Sequence, residues 1–397
     1  MRRGGPVTDN APRVLLLGAG EPGWELAVAL QHLGAEVIVA DGHREAPAHR
    51  VADQSLVVNL TDADELAAVF ARLHPDFVVT LTEAVAVDAL DTVSAVPSAR
   101  SLRLTIDREG LRRLAADQLG LPTAPFWFVE SLADLAAVAA HAGFPLLVKP
   151  VARAPGRGQS VVAGPDGLER AWRHAAGQEP AGTRQRVWAE TVVEVEFLVT
   201  LIVVCSQCPI GPVIEFCAPI AHRDADGGDL ESWQPLRLTT AALDAAKSIA
   251  ARIVKALGGR GVFSVELMVN GDEVYFADVS ALPTERAWVT LRTQRLSVFE
   301  LQARAILGLA VDTLMVSPGA ARMLSPGRDS APTAEALTAA LGVPESDVRM
   351  FDRGGPGAPA GTTGRLGVAL ATAADVATAR DRAHDVAARL NMRDSRG

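Results

Sequence analysis

The chain has 397 residues, 49% hydrophobic and 21% charged, which is enough to bury about two or three domain cores and too apolar for a disordered segment. A net charge of −9 argues against a general nucleic-acid or anionic-membrane surface and leaves room only for a local basic pocket that takes phosphates. No stretch approaches about eighteen apolar residues and the opening MRRGGPVTDN has no apolar core, so neither a membrane span nor a secretory signal is expected, and a cytoplasmic location is.

After a short Pro/Gly-containing tail, Val14-LLLGAG begins a run of strand-helix units. A strand at 14–17 is followed by an apolar-periodic helix near 22–33, the strand Glu36-VIVAD, a helix at 62–73 and the strand Asp76-FVVTL. Strands alternating with helices at this spacing predict a doubly wound parallel sheet over residues 1–110. Thr105-IDREGLRRLAADQLG predicts a capped helix, with Asp107 at its start and Gly120 and Pro122 at its stop. From Phe144 to about 320 the strands lengthen and helices thin out, predicting an α+β region over 111–320 with helices at 239–257 and 297–308. The remainder, 321–397, predicts a small C-terminal α+β domain, with a Gly/Pro-rich loop at 354–364 after a strand near 347–352. Cys205, Cys208 and Cys217 offer one Cys-x-x-Cys and no matching second pair, so thiols without a metal or disulfide framework are expected. His43, His49, His74 and His141 are isolated and read as surface residues.

Four stretches carry chemistry. Gly18-A-Gly20-EP-Gly23 follows a strand and opens a helix, with Asp41 ending the next strand, which fits a dinucleotide fingerprint. The alternative is a tight strand-to-helix turn that leaves Glu21 facing whatever sits above the sheet. Phe144-PLLVKPV delivers Lys149 from a strand directly into the Gly-rich run Ala152-RAPGRGQS, whose backbone N–H groups suit phosphate oxygens. Val187-WAETVVEVEFLVTLIVV is a long apolar strand region in which Glu190 is an early acid. Finally, GVFSVELMVNGDEVYFADVS over 261–280 holds two β-type runs around Asn270-Gly271-Asp272, with Glu266 and Asp278 twelve residues apart. A two-residue Asn-Gly loop would set these acids on opposite faces, whereas a three-residue loop, Asn270 to Asp272, sets them on one face, where a divalent cation would bridge them. The three-residue loop is the expectation. An edge-strand Asp278 in solvent, with Glu266 paired to a basic residue, is the alternative.

The order of Arg108, Lys149, Gly-rich loop, Glu190 to Val193, and then Glu266 and Asp278 resembles the ATP-grasp arrangement. Over nearly its whole length the chain resembles the formate-dependent phosphoribosylglycinamide formyltransferase family, through Val14-LLLGAGE, Glu36-VIVAD, Ala46-PAHRVAD, Thr82-EAVAVD, Asp107-REGLRRLAAD, Val148-KPV, Gly156-RGQS, Phe216-CAPIAHRDADGGDLESWQP, Ala256-LGGRGVFSVEL and Arg365-LGVALATA. The resemblance implies an ATP-grasp fold, ATP- and formate-dependent N-formylation of glycinamide ribonucleotide through formyl phosphate, and a homodimer binding small molecules without nucleic acid or membrane. It implies that Arg108 and Lys149 contact ATP phosphates, that Ala154, Pro155, Gly156, Arg157, Gly158 and Gln159 form the phosphate loop, and that Glu190 and Val193 border the nucleoside. By the same resemblance Glu266 and Asp278 hold Mg²⁺, with aspartate in place of the usual glutamate, and Glu21, Glu83, Glu285, Arg353 and Arg365 meet the acceptor.

Three departures cluster at the acceptor and the ribose. Relatives carry Pro-Arg-Pro-His-Asp where this chain reads Ala281-LPTE, and one arginine of an adjacent pair is replaced by Gly364. Each lost charge-assisted hydrogen bond is worth about 1.5–3 kcal/mol, so a phosphorylated acceptor would bind roughly ten- to thousandfold more weakly unless Arg286 or Arg292 compensates. Leu198 stands where relatives have a ribose-binding carboxylate, leaving Glu194 or Glu196 to substitute. Another amine acceptor, a catalytically degraded relative and an NAD-linked enzyme remain the alternatives.

Overall fold

Near-continuous apolar strands need cover on both faces, and the chain supplies it with amphipathic helices. The computed structural model describes residues 11–151, 158–177, 186–208, 211–224, 230–324, 332–351 and 365–391. Its first layer is a five-stranded parallel sheet in the order Gln54–Val57, Glu36–Asp41, Arg13–Leu17, Phe77–Thr80, Ala95–Val96. The order reverses between Arg13–Leu17 and Phe77–Thr80, the kind of crevice in which open parallel sheets bind ligands. The loop after Leu17 enters this crevice and leads into the helix Glu21–His32. Gly23 is required there, because a Cβ would lie 2.7 Å from the Gly18 carbonyl oxygen.

That helix joins the first layer to the rest. Leu26, Ala27 and Leu30 share one core with Ala303 and Ile306 of the helix Val298–Leu307. A second, antiparallel sheet runs Phe126–Val129, Val187–Thr191, Leu146–Pro150, Ser160–Val162, with helices Leu132–Ala142 and Leu168–Ala176 packed on one face. Strand alternation buries Leu146, Val148 and Pro150 and turns Lys149 to the other face.

The third sheet has nine antiparallel strands. It runs from the hairpin Gly261–Asn270 and Glu273–Ser280 through Phe197–Cys208, Ile220–Asp224 and Leu230–Gln234 to Gly319–Leu324, Gly367–Thr372 and Ser346–Met350, with Gly211–Phe216 against Phe197–Cys208. The strands after residue 318 therefore extend the central sheet. One face packs on the helix Thr240–Leu257 and the other on Val298–Leu307. Burial pushes the Cys205 thiol up to about 11 and the Cys217 thiol to about 12, as suits core thiols. Among the described residues no helix is long and apolar enough to cross a membrane.

One local expectation holds and one changes. The helix expected after Asp107 is present: Ala99–Ile106 ends at Asp107, which caps Arg108–Arg113 by accepting from the Gly110 N–H at 2.9 Å, and Leu114–Gln118 continues it as a π-turn that stops before Gly120. The hairpin loop has two residues, Gly271 and Asp272, rather than the expected three, because Asn270 still pairs with Glu273. Gly271 takes φ 58° at the first loop position, where a II′ turn wants glycine. Glu266 and Asp278 nonetheless pair directly, because a β-bulge at Ala277 resets the register between the pairs Leu267–Phe276 and Glu266–Asp278.

Candidate active site

The site lies between the two antiparallel sheets, starting from three cations around one indole. Arg108 and Arg112 are one helical turn apart on Arg108–Arg113 and so share a face. Lys149 pairs across the strands with Trp188, and the alternation carries Glu190 to the same face. The Lys149 Nζ is 3.9 Å from the Trp188 ring centroid, with the Arg112 and Arg108 guanidiniums at 4.6 and 5.1 Å. Lys149 Nζ donates to Glu190 Oε2 at 3.0 Å, and Arg112 Nη2 donates to the same oxygen at 3.2 Å. Burial holds the Lys149 pKa below its ordinary value, helped by Arg112 and Arg108 and opposed by Glu190. One carboxylate thus serves several cations, and Arg108 Nε and Trp188 Nε1 are buried with no hydrogen-bond partner among the described residues. An excess of buried donors and positive charge suits a polyphosphate.

Across the cleft is the carboxylate face. Thr200, Glu266 and Asp278 lie in register on neighbouring strands, His222 lies on the next strand opposite Leu198, and both Glu266 oxygens accept from Thr200 Oγ1 at 3.0 Å. Arg286 Nε donates to His222 Nδ1 at 3.3 Å, which leaves Nε2 as the ring's donor to Glu266 Oε2 at 3.0 Å. Burial alone would raise the Glu266 pKa, but Arg286, His222 and Thr200 outweigh it and hold the carboxyl below the usual range, ionised. The Asp278 Oδ1 accepts from the Val279 N–H at 2.8 Å. Two opposed carboxylates beside a phosphate pocket fit Mg²⁺, which typically takes one or two protein carboxylates and completes its shell with phosphate oxygens and water.

The acceptor residues from the sequence are only partly brought together. Glu285 and Arg365 are 3.7 Å apart, and Glu21 is buried at the start of its helix. One turn on, Glu25 meets Arg349 at 3.3 Å, and Arg349 also bonds Asp347 at 2.7 Å. Of the two compensating arginines, Arg292 pairs with Asp347, while Arg286 turns to the carboxylate face, 3.6 Å from Glu266. Ala154, Pro155, Gly156, Arg157 and Arg353 lie outside the described residues. Gly158 is buried, Gln159 exposed and Val193 half-buried. Leu198 is 40% exposed in register with Met268 and His222, beside the carboxylates. Glu196 accepts from the Gly271 N–H at 3.4 Å, so of the two acids left for the ribose only exposed Glu194 is uncommitted to the hairpin.

In the glycine loop, Asp41 Oδ2 accepts from the Ala19 N–H at 2.8 Å and Oδ1 from the His43 N–H at 2.9 Å. Asp41 braces the turn, which favours the structural reading over a ribose-binding acid. Sequence reasoning missed Arg112 and Trp188. The spacing of Arg112 from Arg108 was the one signal available.

Cations from the helix Arg108–Arg113 and the strand Leu146–Pro150, facing carboxylates on a hairpin of the larger antiparallel sheet across a narrow gap of about 170 Å³, define an ATP-grasp protein. The ATP-grasp domain family matches residues 114–299, and the family described as PurT, C-terminal, matches 320–390. A formate-dependent phosphoribosylglycinamide formyltransferase from Corynebacterium glutamicum (strain R) is 46% identical, covering 98% of this chain and 96% of its own, and one from Rhodococcus jostii (strain RHA1) is 44% identical, covering 98% of each. The solved structure of a glycinamide-RNase-transformylase T from Mycobacterium tuberculosis is 67% identical over 96% of this chain and all of its own, with a TM-score of 0.83. An N5-carboxyaminoimidazole ribonucleotide synthetase from Thermotoga maritima, 20% identical with a TM-score of 0.79 over 95% of this chain and 98% of its own, shares the fold. The chain belongs to the formate-dependent phosphoribosylglycinamide formyltransferase family.

Proposed function

We propose that the protein is an ATP-dependent transferase of purine biosynthesis that activates formate as formyl phosphate and delivers the formyl group to the amine of glycinamide ribonucleotide. The observation that carries this reading is the pairing of Glu266 with Asp278 opposite the Lys149, Arg108 and Arg112 cations. Formate and the γ-phosphate are both anions, so the first step is limited by charge repulsion and positioning. Lys149 and Arg108 would hold the phosphates together with the loop that ends in Gly158 and Gln159, and Glu190 and Val193 would border the nucleoside. Glu266 and Asp278 would hold Mg²⁺, which supplies charge neutralisation between the phosphates when bound. Arg286, held beside Glu266 and His222, would meet the carboxylate of formate. Formate oxygen attacks the γ-phosphorus, ADP leaves, and the acceptor amine then attacks the formyl carbon, releasing phosphate and a proton. Glu21, Glu83, Glu285, Arg353 and Arg365 would orient the acceptor.

We further propose the division 1–110, 111–320 and 321–397, a homodimer, and a cytoplasmic location. The departures at Ala281 to Glu285 and Gly364 favour one second reading, the same carboxylate activation with another amine. The deciding assay is ADP release with formate, with and without glycinamide ribonucleotide. Release that requires both supports the proposal, and release only with another amine overturns its acceptor.

A further inference from the structure

Arg112 is 2% exposed and ties three elements together. Its Nη1 donates to the Phe276 carbonyl at 3.0 Å, and its Nη2 donates to the Ala277 carbonyl at 3.1 Å as well as to Glu190 Oε2 at 3.2 Å. The rings of Trp188, Phe126 and Phe276 pack around the guanidinium at 4.6, 5.6 and 6.0 Å, which excludes water and fixes its plane.

The two carbonyls it binds belong to the bulge. Asn270 pairs with Glu273, so a regular ladder would set Glu266 against Ala277 and send Asp278 to the other face. The extra residue at Ala277 turns Asp278 toward Glu266, and a bulge takes backbone groups out of the ladder, so they need another donor. Arg112 is that donor, across 164 and 165 positions of sequence.

We propose that Arg112 is a positioning residue of the carboxylate face: its fork holds the bulge that aims Asp278 at Glu266, and its bond to Glu190 couples that register to Lys149. The inference rests on the reading of Glu266 and Asp278 as the metal carboxylates. A lysine cannot reproduce it, because an ammonium lacks the planar fork that spans two carbonyls and a carboxylate.

Mn²⁺ titration of the full chain with ADP, followed by electron paramagnetic resonance, tests it without turnover. Arg112→Lys and Arg112→Met should weaken Mn²⁺ binding by about ten- to hundredfold, the range for groups that orient metal ligands. Arg113→Ala, on the neighbouring exposed arginine, should leave it unchanged. The KM for formate should move far less than the Mn²⁺ affinity in the Lys variant, which a general loss of structure would not produce. A folded Arg112→Met with wild-type Mn²⁺ affinity, or a Lys variant in which metal, formate and metal-free melting all decline together, overturns the inference; if the Met variant does not fold, the Lys variant decides alone. Asp278→Asn separates the layers. If it too leaves Mn²⁺ binding unchanged, the metal reading itself fails; if it abolishes binding while Arg112 variants do not, only the role of Arg112 fails.

Discussion

Glu190 is a carboxylate that stands where phosphate charge would arrive. It is 4% exposed, and both Lys149 and Arg112 donate to one of its oxygens. Removing one partner from a buried ion pair typically costs about 3–5 kcal/mol, because the other charge is left desolvated and alone. Glu190→Gln should therefore lower the melting temperature of the ligand-free protein. ADP brings back the missing negative charge, so it should raise the melting temperature of the variant by more than it raises that of wild type. Thermal unfolding with and without ADP measures both shifts, and equal shifts would show that Glu190 and the nucleotide do not share the same cations. Lys149 itself was legible from sequence, since a strand ran it straight into glycines. Arg112 and Trp188 were not, because their significance comes from facing Lys149 across a cleft and no local pattern encodes that.

At the scale of elements, one acid of the central sheet gathers an arginine from the last helix, Val376–Asn391, and one from a neighbouring strand. Glu231, on the strand Leu230–Gln234, accepts from Arg380 Nε at 2.9 Å and Nη2 at 3.1 Å and from Arg223 Nε at 2.7 Å, and Arg380 also stacks 4.1 Å from the Trp233 centroid. Burial alone would raise the Glu231 pKa, but the two arginines outweigh it and hold the carboxyl below its usual value. A depressed acid contributes stability above its unfolded pKa of about 4.3 and loses that contribution as pH falls through the folded value. Arg380→Met should be less stable near neutral pH by about 1–3 kcal/mol. The gap should close in acid, because the variant has less of this contribution to lose. Denaturant melts from pH 7 to 3 check it, and a gap constant with pH would remove the ion pair from the explanation. The strands and helices themselves followed from apolar periodicity, and the capping acid Asp107 was visible as such. The bulge was not: a residue that resets register looks like any other alanine, and the groups that satisfy it come from a distant helix. The same-face placement of Glu266 and Asp278 was anticipated, but through a three-residue turn that the chain does not use.

Across the whole molecule, the parallel layer and the long antiparallel sheet meet through one helix and one ion pair. The helix Glu21–His32 begins at the crevice of the first sheet and shares its core with Val298–Leu307, so Glu21 is carried by one body while the pair Glu285 and Arg365 belongs to another. Glu25 and Arg349 link these bodies at 3.3 Å. Burial pushes the Glu25 carboxyl above its usual value, outweighing the opposing pull of Arg349. Arg349→Met would remove this ion pair and release the grip of the strand Ser346–Met350 on the helix that carries Glu21. Small displacements of positioning groups are costly in catalysis, so the KM for glycinamide ribonucleotide should rise by about tenfold or more. The ATP-binding cations sit on other elements, and the KM for ATP should hold. Steady-state kinetics with each substrate varied in turn separates the two. A parallel rise in both constants would mean that the ion pair sustains the fold at large, and no rise in either would mean that apolar packing against Val298–Leu307 alone sets the position of Glu21.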